Sequence, residues 1–259
     1  MSKMFEFIKR NKFSRKVYFT LRSVNDFFKF KPILYFKQII WFFKSIHTLN
    51  KIENKNFSKF EYYPCLSDNI SYTPLDPTYF FQDSWAARKI FELKPEHHFD
   101  IGSSATTIGI LSQFVPITMI DIRPIKLEIP NLYFIEGSIL DLPFDNNSIN
   151  SLSSLCVIEH IGLGRYGDPI DAFGSEKAIE EIKRVIKPGG VVIISLPIDN
   201  NNKVYFNAHR AFTREYVLNL FMNFSLMEEK YHYGNHLYDY YDKEKGFGTG
   251  LYMFRKLES

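Results

Sequence analysis

Cysteine is scarce in this chain of 259 residues, which contains only Cys65 and Cys156. Two such cysteines form neither a disulfide framework nor the CxxC pairs of a structural zinc site. A reducing, cytoplasmic setting is therefore expected. Internal repeats and low-complexity tracts are lacking as well. The content of 45% hydrophobic and 24% charged residues is typical of a globular chain.

Long apolar runs are also missing. No uninterrupted run approaches the roughly 20 residues that are needed to span a bilayer. The apolar residues near the start are separated by lysines, and no small-residue cleavage site follows them. This pattern disfavours a secretory signal.

The charges are distributed unevenly along the chain. The formal net charge is only +3, but residues 1–50 contain 11 Lys and Arg against 2 Asp and Glu, together with 13 aromatic residues. These residues are predicted to form a basic, helical extension. Either an amphipathic helix pair lies on an anionic membrane, or the aromatic side chains pack on the rest of the protein. Nucleic-acid binding is disfavoured because no recognition motif accompanies the charge.

The stretch after this extension contains turn-forming Pro, Asp and Asn residues and is predicted to be a linker over residues 51–77. The main domain is then expected over residues 78–259. It begins with a helix predicted over residues 79–91. In this helix Gln82 and Asp83 either reach a ligand of the site described next or lie exposed in the first turn.

Residues 97–111 read as a short apolar strand, a turn of small residues and a helix. Gly102 lets the backbone turn, and the amides that follow point at a ligand above the strand end. Asp121 lies 19 positions after Gly102, at the end of a second apolar run. A carboxylate in that position binds ribose hydroxyls, so the pattern predicts a nucleotide-binding βαβ unit.

Strands and helices alternate through the rest of the chain. Residues 191–196 are nearly all apolar, which is typical of a strand buried on both faces. The alternation predicts an α/β fold, a Rossmann-like, doubly wound, mostly parallel seven-stranded sheet with the last strand antiparallel. The remaining strands are predicted at 132–137, 149–155, 225–233 and 250–256, and the helices at 175–187 (ended by Pro188, Gly189 and Gly190) and 213–224.

The order of these motifs resembles the class I S-adenosylmethionine-dependent methyltransferases over about residues 79–256. The resemblance rests on the Asp-Ile-Gly turn, the acidic strand end, GSILDLPF, Ile-Glu-His and Lys-Pro-Gly-Gly. More narrowly, residues 121–124, 159–169 (EHIGLGRYGDP) and 206–210 look like a domain-of-unknown-function family within that superfamily. Several bacterial members of that family look associated with surface-glycan assembly.

The resemblance implies S-adenosylmethionine as the cofactor and assigns roles to particular residues. Asp121 would bind the ribose. The other cofactor-binding candidates are Asp100, Gly102 and Ser103 on the methionine side, and Ser138 and Ile139 beside the adenine. No metal site is implied.

The chain departs from the superfamily pattern at three positions. Ser104 and Thr106 replace the usual second and third glycines, and Ser138 replaces a common acidic residue. A nicotinamide dehydrogenase would normally keep the missing GxGxxG. The departures leave a rival hypothesis open, namely a non-catalytic module that binds a membrane or a partner through its N-terminal extension.

The loop over residues 162–169 leaves the fourth strand at the carboxyl edge of the sheet, where the acceptor is expected. His160, Asp168 and His209 are the catalytic candidates for accepting a proton. Arg165 either clamps a phosphate or carboxylate of the acceptor or pairs with an aspartate of the loop, Asp168 or Asp171. Substrate binding is predicted for Arg165, Tyr166 and Arg210.

Two further segments have alternative interpretations. The aromatic residues of 231–241 either stack on a sugar or form the wall of a hairpin, and His232 and His236 within them lie in strand and turn, so no metal site is expected. The glycines of 246–250 precede a strand and predict a turn rather than a phosphate loop. The leading hypothesis is O-methylation of a sugar or surface-glycan precursor.

Overall fold

The computed structural model describes residues 32–51 and 61–258. The chain divides after Pro74 into two compact units. In the first unit, helix α1 (Pro32–Leu49) is followed, over residues 61–74, by a stretch without helix or strand. The rest of the predicted extension, residues 1–31, and the predicted linker residues 52–60 lie outside the described residues.

Helix α1 carries large apolar side chains that are exposed, among them Phe36, Trp41 and Phe43. Lys37 and Lys44 interrupt its apolar sequence. Within the described ranges, the structure contains no helix that has both the length and the apolar character to cross a bilayer.

The second unit, residues 75–258, alternates strands and helices, and the doubly wound, mostly parallel α/β fold is confirmed. Its main sheet has the order β3-β2-β1-β4-β5-β10-β8-β9. The first five strands are parallel, and β10 is antiparallel to both of its neighbours. The strands of this sheet are β1 (His98–Ile101), β2 (Ile117–Asp121), β3 (Leu132–Glu136), β4 (Ile149–Leu155), β5 (Ile186–Ile198), β8 (Phe224–Tyr233), β9 (His236–Tyr238) and β10 (Gly248–Lys256).

The short strand β9 extends the edge of the sheet beyond the seven strands that were predicted, because it pairs with the end of β8. Two further strands, β6 (Lys203–Tyr205) and β7 (His209–Ala211), form a separate hairpin. The helices of this unit are α2 (Pro77–Leu93), α3 (Ala105–Leu111), α4 (Gly174–Val185) and α5 (Arg214–Leu220).

The core has two layers because β5 is apolar on both faces. Val192 and Ile194 belong to the cluster that includes Ile179 and other side chains of α4. Ile193 belongs to a second cluster, which includes Trp85 of α2. Alternate side chains of one strand thus enter opposite layers. This burial fixes the register of the strand ends that carry the site.

The junction between α4 and β5 differs from the prediction. Helix α4 ends at Val185, and β5 begins directly at Ile186 instead of at residue 191. The pairing with β4 jumps between Ile186 and Val191, and Gly189 in between has a φ of +75°. The Lys-Pro-Gly-Gly sequence is therefore a wide bulge inside a strand and does not separate the two elements.

Helix α5 is also shorter than predicted. The Thr213 side chain caps it by accepting a hydrogen bond from the Tyr216 amide. The helix ends at Leu220, because Phe224 already opens β8 and packs in the core.

Candidate functional site

The turn after β1 has the backbone conformation that its glycine predicts. Gly102 has a φ of +65°, in the left-handed region that favours glycine. A Cβ atom at this position would lie 3.1 Å from Cγ1 of Val157 and 3.9 Å from Oδ2 of Asp121. The missing side chain thus leaves open the space between the ends of β1, β2 and β4.

Asp100 and Ser103 hold this turn from inside the fold. The Asp100 carboxylate accepts hydrogen bonds from the backbone amide (3.1 Å) and the hydroxyl (2.7 Å) of Ser103, and from the hydroxyl of Ser153 on β4. The Ser103 hydroxyl accepts in turn from the Leu155 amide. Burial raises the pKa of Asp100 to about 6, and the hydrogen bonds oppose the shift. Neither side chain lines the pocket beside the turn.

That pocket has an empty volume of about 640 Å³, part of it open to solvent. It collects residues from several strand ends that are far apart in the sequence. The candidates that line it are Gly102, Asp121, Ser138, Ile139, His160, Tyr166 and Asp168.

Asp121 lies at the end of β2 with one carboxylate oxygen engaged and the other available. Its Oδ1 accepts a hydrogen bond from the Arg123 amide at 2.8 Å. Its Oδ2 points toward the Gly102 turn and has no hydrogen-bond partner within the described part of the chain. The free oxygen fits a ribose hydroxyl, and the apolar side chains of Ile122, Ile139 and Leu140 fit the face of a purine.

Helix α2 contributes two polar side chains beside β4 and β5. Gln82 is fully buried, so the alternative of an exposed first turn is wrong for this residue. Its Oε1 accepts from the Ser195 hydroxyl (2.7 Å) and the Cys156 thiol (3.0 Å), whereas its Nε2 has no partner in the part of the chain that the structure describes. Asp83 accepts from Thr107 at 2.6 Å, and its buried Oδ1 has no partner within that part either.

These unpaired groups test whether the site fits S-adenosylmethionine. A buried donor or acceptor without a partner is costly, and a bound polar ligand removes that cost. The amide of Gln82 is a donor for a carboxylate, and the oxygen of Asp83 is an acceptor for an ammonium group. Neither Gln82 nor Asp83 lines the pocket, but Gln82 is hydrogen-bonded to the thiol of Cys156, which does. With Asp121 for the ribose, the residues present fit the cofactor.

The loop after β4 follows a short 3-10 turn (Ile158–His160) and is held by a single carboxylate. Asp168 accepts hydrogen bonds from the amides of Gly162 (2.6 Å), Gly164 (3.3 Å) and Tyr166 (3.2 Å). Burial opposes the shift, but these bonds lower the pKa of Asp168 below its usual range. The geometry gives Asp168 a structural function, and a carboxylate so engaged is a weak base.

Arg210 also braces this loop, and its contact with substrate stays a prediction. The side chain is buried, with 7% of its surface exposed. Its terminal nitrogens donate to the carbonyl oxygens of Ile161, Asp171 (2.8 Å) and Ala172 (3.3 Å) and to the hydroxyl of Ser175 (3.1 Å). Both terminal nitrogens thus donate hydrogen bonds within the protein.

His160 and Arg165 meet at one backbone oxygen. The carbonyl of Ala208 accepts from Nδ1 of His160 at 2.7 Å and from Nη1 of Arg165 at 3.1 Å. A carbonyl only accepts, so Nδ1 carries the proton and Nε2 of His160 holds the lone pair. Burial lowers the pKa of His160 to about 4, which leaves the imidazole neutral at pH 7.

Arg165 is exposed, and within the described residues it forms no ion pair with Asp168 or Asp171. Asp171 pairs instead with Lys177 at 2.6 Å. The Arg165 guanidinium carbon lies 5.2 Å from the ring centroid of Tyr166, and that of Arg123 lies 4.8 Å from it. Tyr166 therefore stands at the mouth of the pocket between two cations.

His209 is half-buried on the neighbouring hairpin and does not line the pocket with His160. Burial lowers its pKa, and the positive charge of Arg165 adds to the shift. Of the three catalytic candidates, the structure places His160 and Asp168 in the pocket wall and His209 outside it.

Sequence reasoning did not single out Glu159 and Cys156 as site residues. Glu159 is buried, and this burial raises its pKa to about 8, so the group is protonated at pH 7. No described residue forms a hydrogen bond with its Oε2. Cys156 lines the pocket with a φ of +53°. The Ile-Glu-His motif marks the position of Glu159, but no pattern in the sequence shows its burial.

The aromatic segment 231–241 and the glycine-rich segment 246–250 belong to the sheet and its turns. Tyr231 and Tyr233 of β8 are buried core residues, which agrees with the hairpin wall. Residues 246–247 form the turn before β10. Across the ranges that the structure describes, no group of three or more His, Cys, Asp or Glu side chains is placed to hold a metal ion.

Solved structures with the same architecture come from proteins of low sequence identity. The [4+2]-cyclase SpnF matches with a TM-score of 0.50 and 13% identity, over 68% of this chain and 83% of that one. A protein from Galdieria sulphuraria, named as a candidate sarcosine dimethylglycine methyltransferase, matches with a TM-score of 0.51 and 15% identity, over 68% and 85%. The chain has a class I methyltransferase-like fold. Because one of the two neighbours is named a cyclase, the methyltransferase-like fold does not by itself define the reaction.

At the level of sequence, residues 143–238 match a family described as "Caenorhabditis protein of unknown function, DUF268". The matched stretch includes β4, the braced loop and the β6–β7 hairpin of the methyltransferase-like fold. No functionally curated protein is significantly similar to this sequence.

Proposed function

We propose that this protein is an S-adenosylmethionine-dependent methyltransferase that methylates a hydroxyl group of a sugar or surface-glycan precursor. The observation that carries the proposal is the free Oδ2 of Asp121, which faces the Gly102 turn across an apolar pocket. The unpaired Gln82 and Asp83 groups support it. When bound, the cofactor supplies an electrophilic methyl group.

The chain's own residues then position the acceptor and take up its proton. Displacement at a methyl group depends chiefly on holding the nucleophile in line and keeping water out. The neutral His160, fixed through Ala208, offers the lone pair of Nε2 to the proton of a hydroxyl; Nη1 of Arg165 lies 3.4 Å and Oε1 of Glu159 3.6 Å from the same atom. A general base contributes roughly 10²- to 10⁴-fold when its pKa lies near the working pH, and the lowered pKa of His160 makes its contribution smaller. Tyr166 covers the mouth of the pocket.

Replacing Asp121 by Ala is expected to weaken binding of S-adenosylhomocysteine by about 1.5–3 kcal/mol, the cost of hydrogen bonds lost from a charged group. Isothermal titration calorimetry measures the change. Glu136→Ala is the matched control, because Glu136 ends the neighbouring strand β3, pairs in register with Asp121 and does not line the pocket.

Equal affinities of Asp121→Ala and the parent protein would remove Asp121 from the site. If the parent protein itself does not bind S-adenosylhomocysteine, the rival proposal of a non-catalytic module takes its place. Ser104, Thr106 and Ser138, which replace the usual residues of the superfamily, would then be the substitutions that removed cofactor binding.

For the N-terminal extension we propose attachment to an anionic membrane surface, on the cytoplasmic face. The excess of 11 cations over 2 anions in residues 1–50 and the exposed aromatic side chains of α1 support this proposal. Basic residues near a membrane each contribute about 1 kcal/mol.

The full-length protein is therefore expected to sediment with phosphatidylserine vesicles at low salt, and less so as salt screens the charges. Phe43→Ala on α1 should reduce sedimentation, whereas Phe114→Ala, an exposed phenylalanine of the second unit, should not. Equal sedimentation with neutral phosphatidylcholine vesicles would contradict the electrostatic argument, and no sedimentation would end the membrane proposal.

A further inference from the structure

The hairpin of β6 and β7 projects from the sheet edge that carries the pocket. It begins just after β5 ends at Ile198, and its strands pair Tyr205 with His209. A bridge between Ile198 and Phe212 returns the chain to the sheet. The hairpin therefore extends the carboxyl edge beside the braced loop.

Three aromatic rings meet on this hairpin and on the turn before β10. The ring centroids of Tyr205 and His209 are 5.1 Å apart, those of Tyr205 and Phe247 5.8 Å, and those of His209 and Phe247 5.5 Å. We call these three residues the aromatic shelf. Tyr205 is 37% exposed and Phe247 49% exposed. A contiguous group of exposed rings is typical of a binding surface.

The aromatic shelf is supported from below by Asp199. This carboxylate is almost fully buried and accepts a hydrogen bond from the Tyr205 hydroxyl at 2.9 Å. The Lys203 ammonium forms an ion pair with this carboxylate at 2.7 Å, and the Tyr241 hydroxyl donates to the backbone carbonyl oxygen of Asp199 at 2.9 Å. The Tyr205 ring is thus held in place before any ligand arrives, which lowers the entropic cost of binding to it.

The aromatic shelf is continuous with Arg165 and His160. Ala208, whose carbonyl both side chains contact, directly precedes His209 in the chain. Arg165 donates through one terminal nitrogen only, and its other nitrogens have no hydrogen-bond partner among the described residues. Neither ring nitrogen of His209 is hydrogen-bonded within those residues. Free donors and acceptors therefore line one side of the aromatic shelf.

We propose that the aromatic shelf and Arg165 together bind the acceptor, and that the acceptor is a saccharide that carries an anionic group; this rests on the methyltransferase function proposed above. A guanidinium with free nitrogens recognises a phosphate or a carboxylate. The aromatic faces suit the apolar C–H face of a sugar ring.

The tilt of the rings favours a sugar over a flat base. The interplanar angles are 49°, 81° and 32°, so no two rings of the aromatic shelf form a parallel slot for a planar heterocycle. A puckered ring fits such a curved surface. The hydroxyl groups of the sugar form hydrogen bonds with His209 and His160. His160 also accepts the proton that the reacting hydroxyl loses when it is methylated.

The test measures binding directly, by calorimetry on the full chain saturated with S-adenosylhomocysteine. The probes are the 1-phosphates of glucose, galactose and mannose, glucuronic acid, the neutral hexoses and inorganic phosphate. We expect at least one anionic saccharide to bind more tightly than its neutral hexose and than inorganic phosphate. Comparison of the 1-phosphates with glucuronic acid shows whether the anion is a phosphate or a carboxylate.

Phe247→Ala is expected to weaken binding of that saccharide about tenfold or more, the effect of losing one stacking face. Arg165→Gln should remove the preference for the anionic over the neutral sugar. Phe114→Ala serves as the matched control, since Phe114 is exposed at a distant pocket of the same unit.

The proposal is overturned if no probe binds, or if Phe247→Ala and Arg165→Gln both bind the saccharide as the parent protein does. Retained binding of S-adenosylhomocysteine in those experiments would leave the methyltransferase proposal standing. Loss of that binding in the parent protein would instead contradict the methyltransferase proposal itself.

Discussion

Replacing Gly162 by Ala is expected to lower the free energy of unfolding by about 2–5 kcal/mol. Gly162 has a φ of +80°, and any other residue there loses about 1–2 kcal/mol. Its new Cβ atom would also fall on the carbonyl oxygen of Asp171, which overpacks the site by about 1–3 kcal/mol more. Urea denaturation measures the loss.

Gly167→Ala is the matched control for the steric part. Gly167 lies in the same loop with a φ of +86°, but a Cβ atom there meets nothing within 4 Å. Only the backbone cost of about 1–2 kcal/mol is expected. If both variants lost the same free energy of unfolding, the steric contact with Asp171 would contribute nothing to the loss in Gly162→Ala.

Replacing Arg210 by Met is expected to cost about 3–5 kcal/mol in unfolding free energy. The change removes the donor of the carbonyl oxygens of Ile161 and Ala172, and each unpaired group costs about 1–3 kcal/mol. The carbonyl oxygen of Asp171 keeps the Gly174 amide as a donor. The free energy of unfolding of Arg210→Lys should lie between those of Arg210→Met and the parent protein, because one ammonium replaces two terminal nitrogens of fixed geometry. Denaturation followed by circular dichroism measures the series.

Arg165→Met is the control for this prediction, because Arg165 is exposed and joins no ion pair among the described residues. Its stability is expected to stay within about 0.5 kcal/mol of the parent protein. If Arg210→Met proves as stable as Arg165→Met, Arg210 does not brace the loop. The prediction that Arg210 contacts the substrate would then gain support.

The fold and the part of the candidate site around Gly102 and Asp121 were accessible from the sequence because their signals are local. A glycine directly after an apolar strand and an acidic residue at the next strand end are short patterns with a physical cause. Gly102 and Asp121 accordingly line one pocket. The helix boundary at Val185 was missed, because the pairing of Ile186 with β4 overrides the turn tendency of Pro188 and Gly189.

The part of the candidate site that we propose for the acceptor was less accessible, because no sequence pattern encodes the partners of its charged residues. Asp168 was a candidate base, yet its partners are amides that depend on the φ angles of neighbouring glycines. Arg210 binds carbonyl groups about forty to fifty residues earlier in the chain. Spacing alone does not separate such braces from ligand-binding groups. The aromatic shelf likewise joins Tyr205 and Phe247, which lie on different elements.

The carboxylate of Asp168 has a consequence for the kinetics of acceptor capture. Because it fixes three amides of the loop in the folded chain, the conformational entropy of these residues is lost during folding and not when the acceptor arrives. Association of the proposed acceptor is then expected to need no slow ordering step of this loop. We expect its rate to be set by diffusional encounter and by the charge of Arg165, and to fall with ionic strength when the acceptor is an anion.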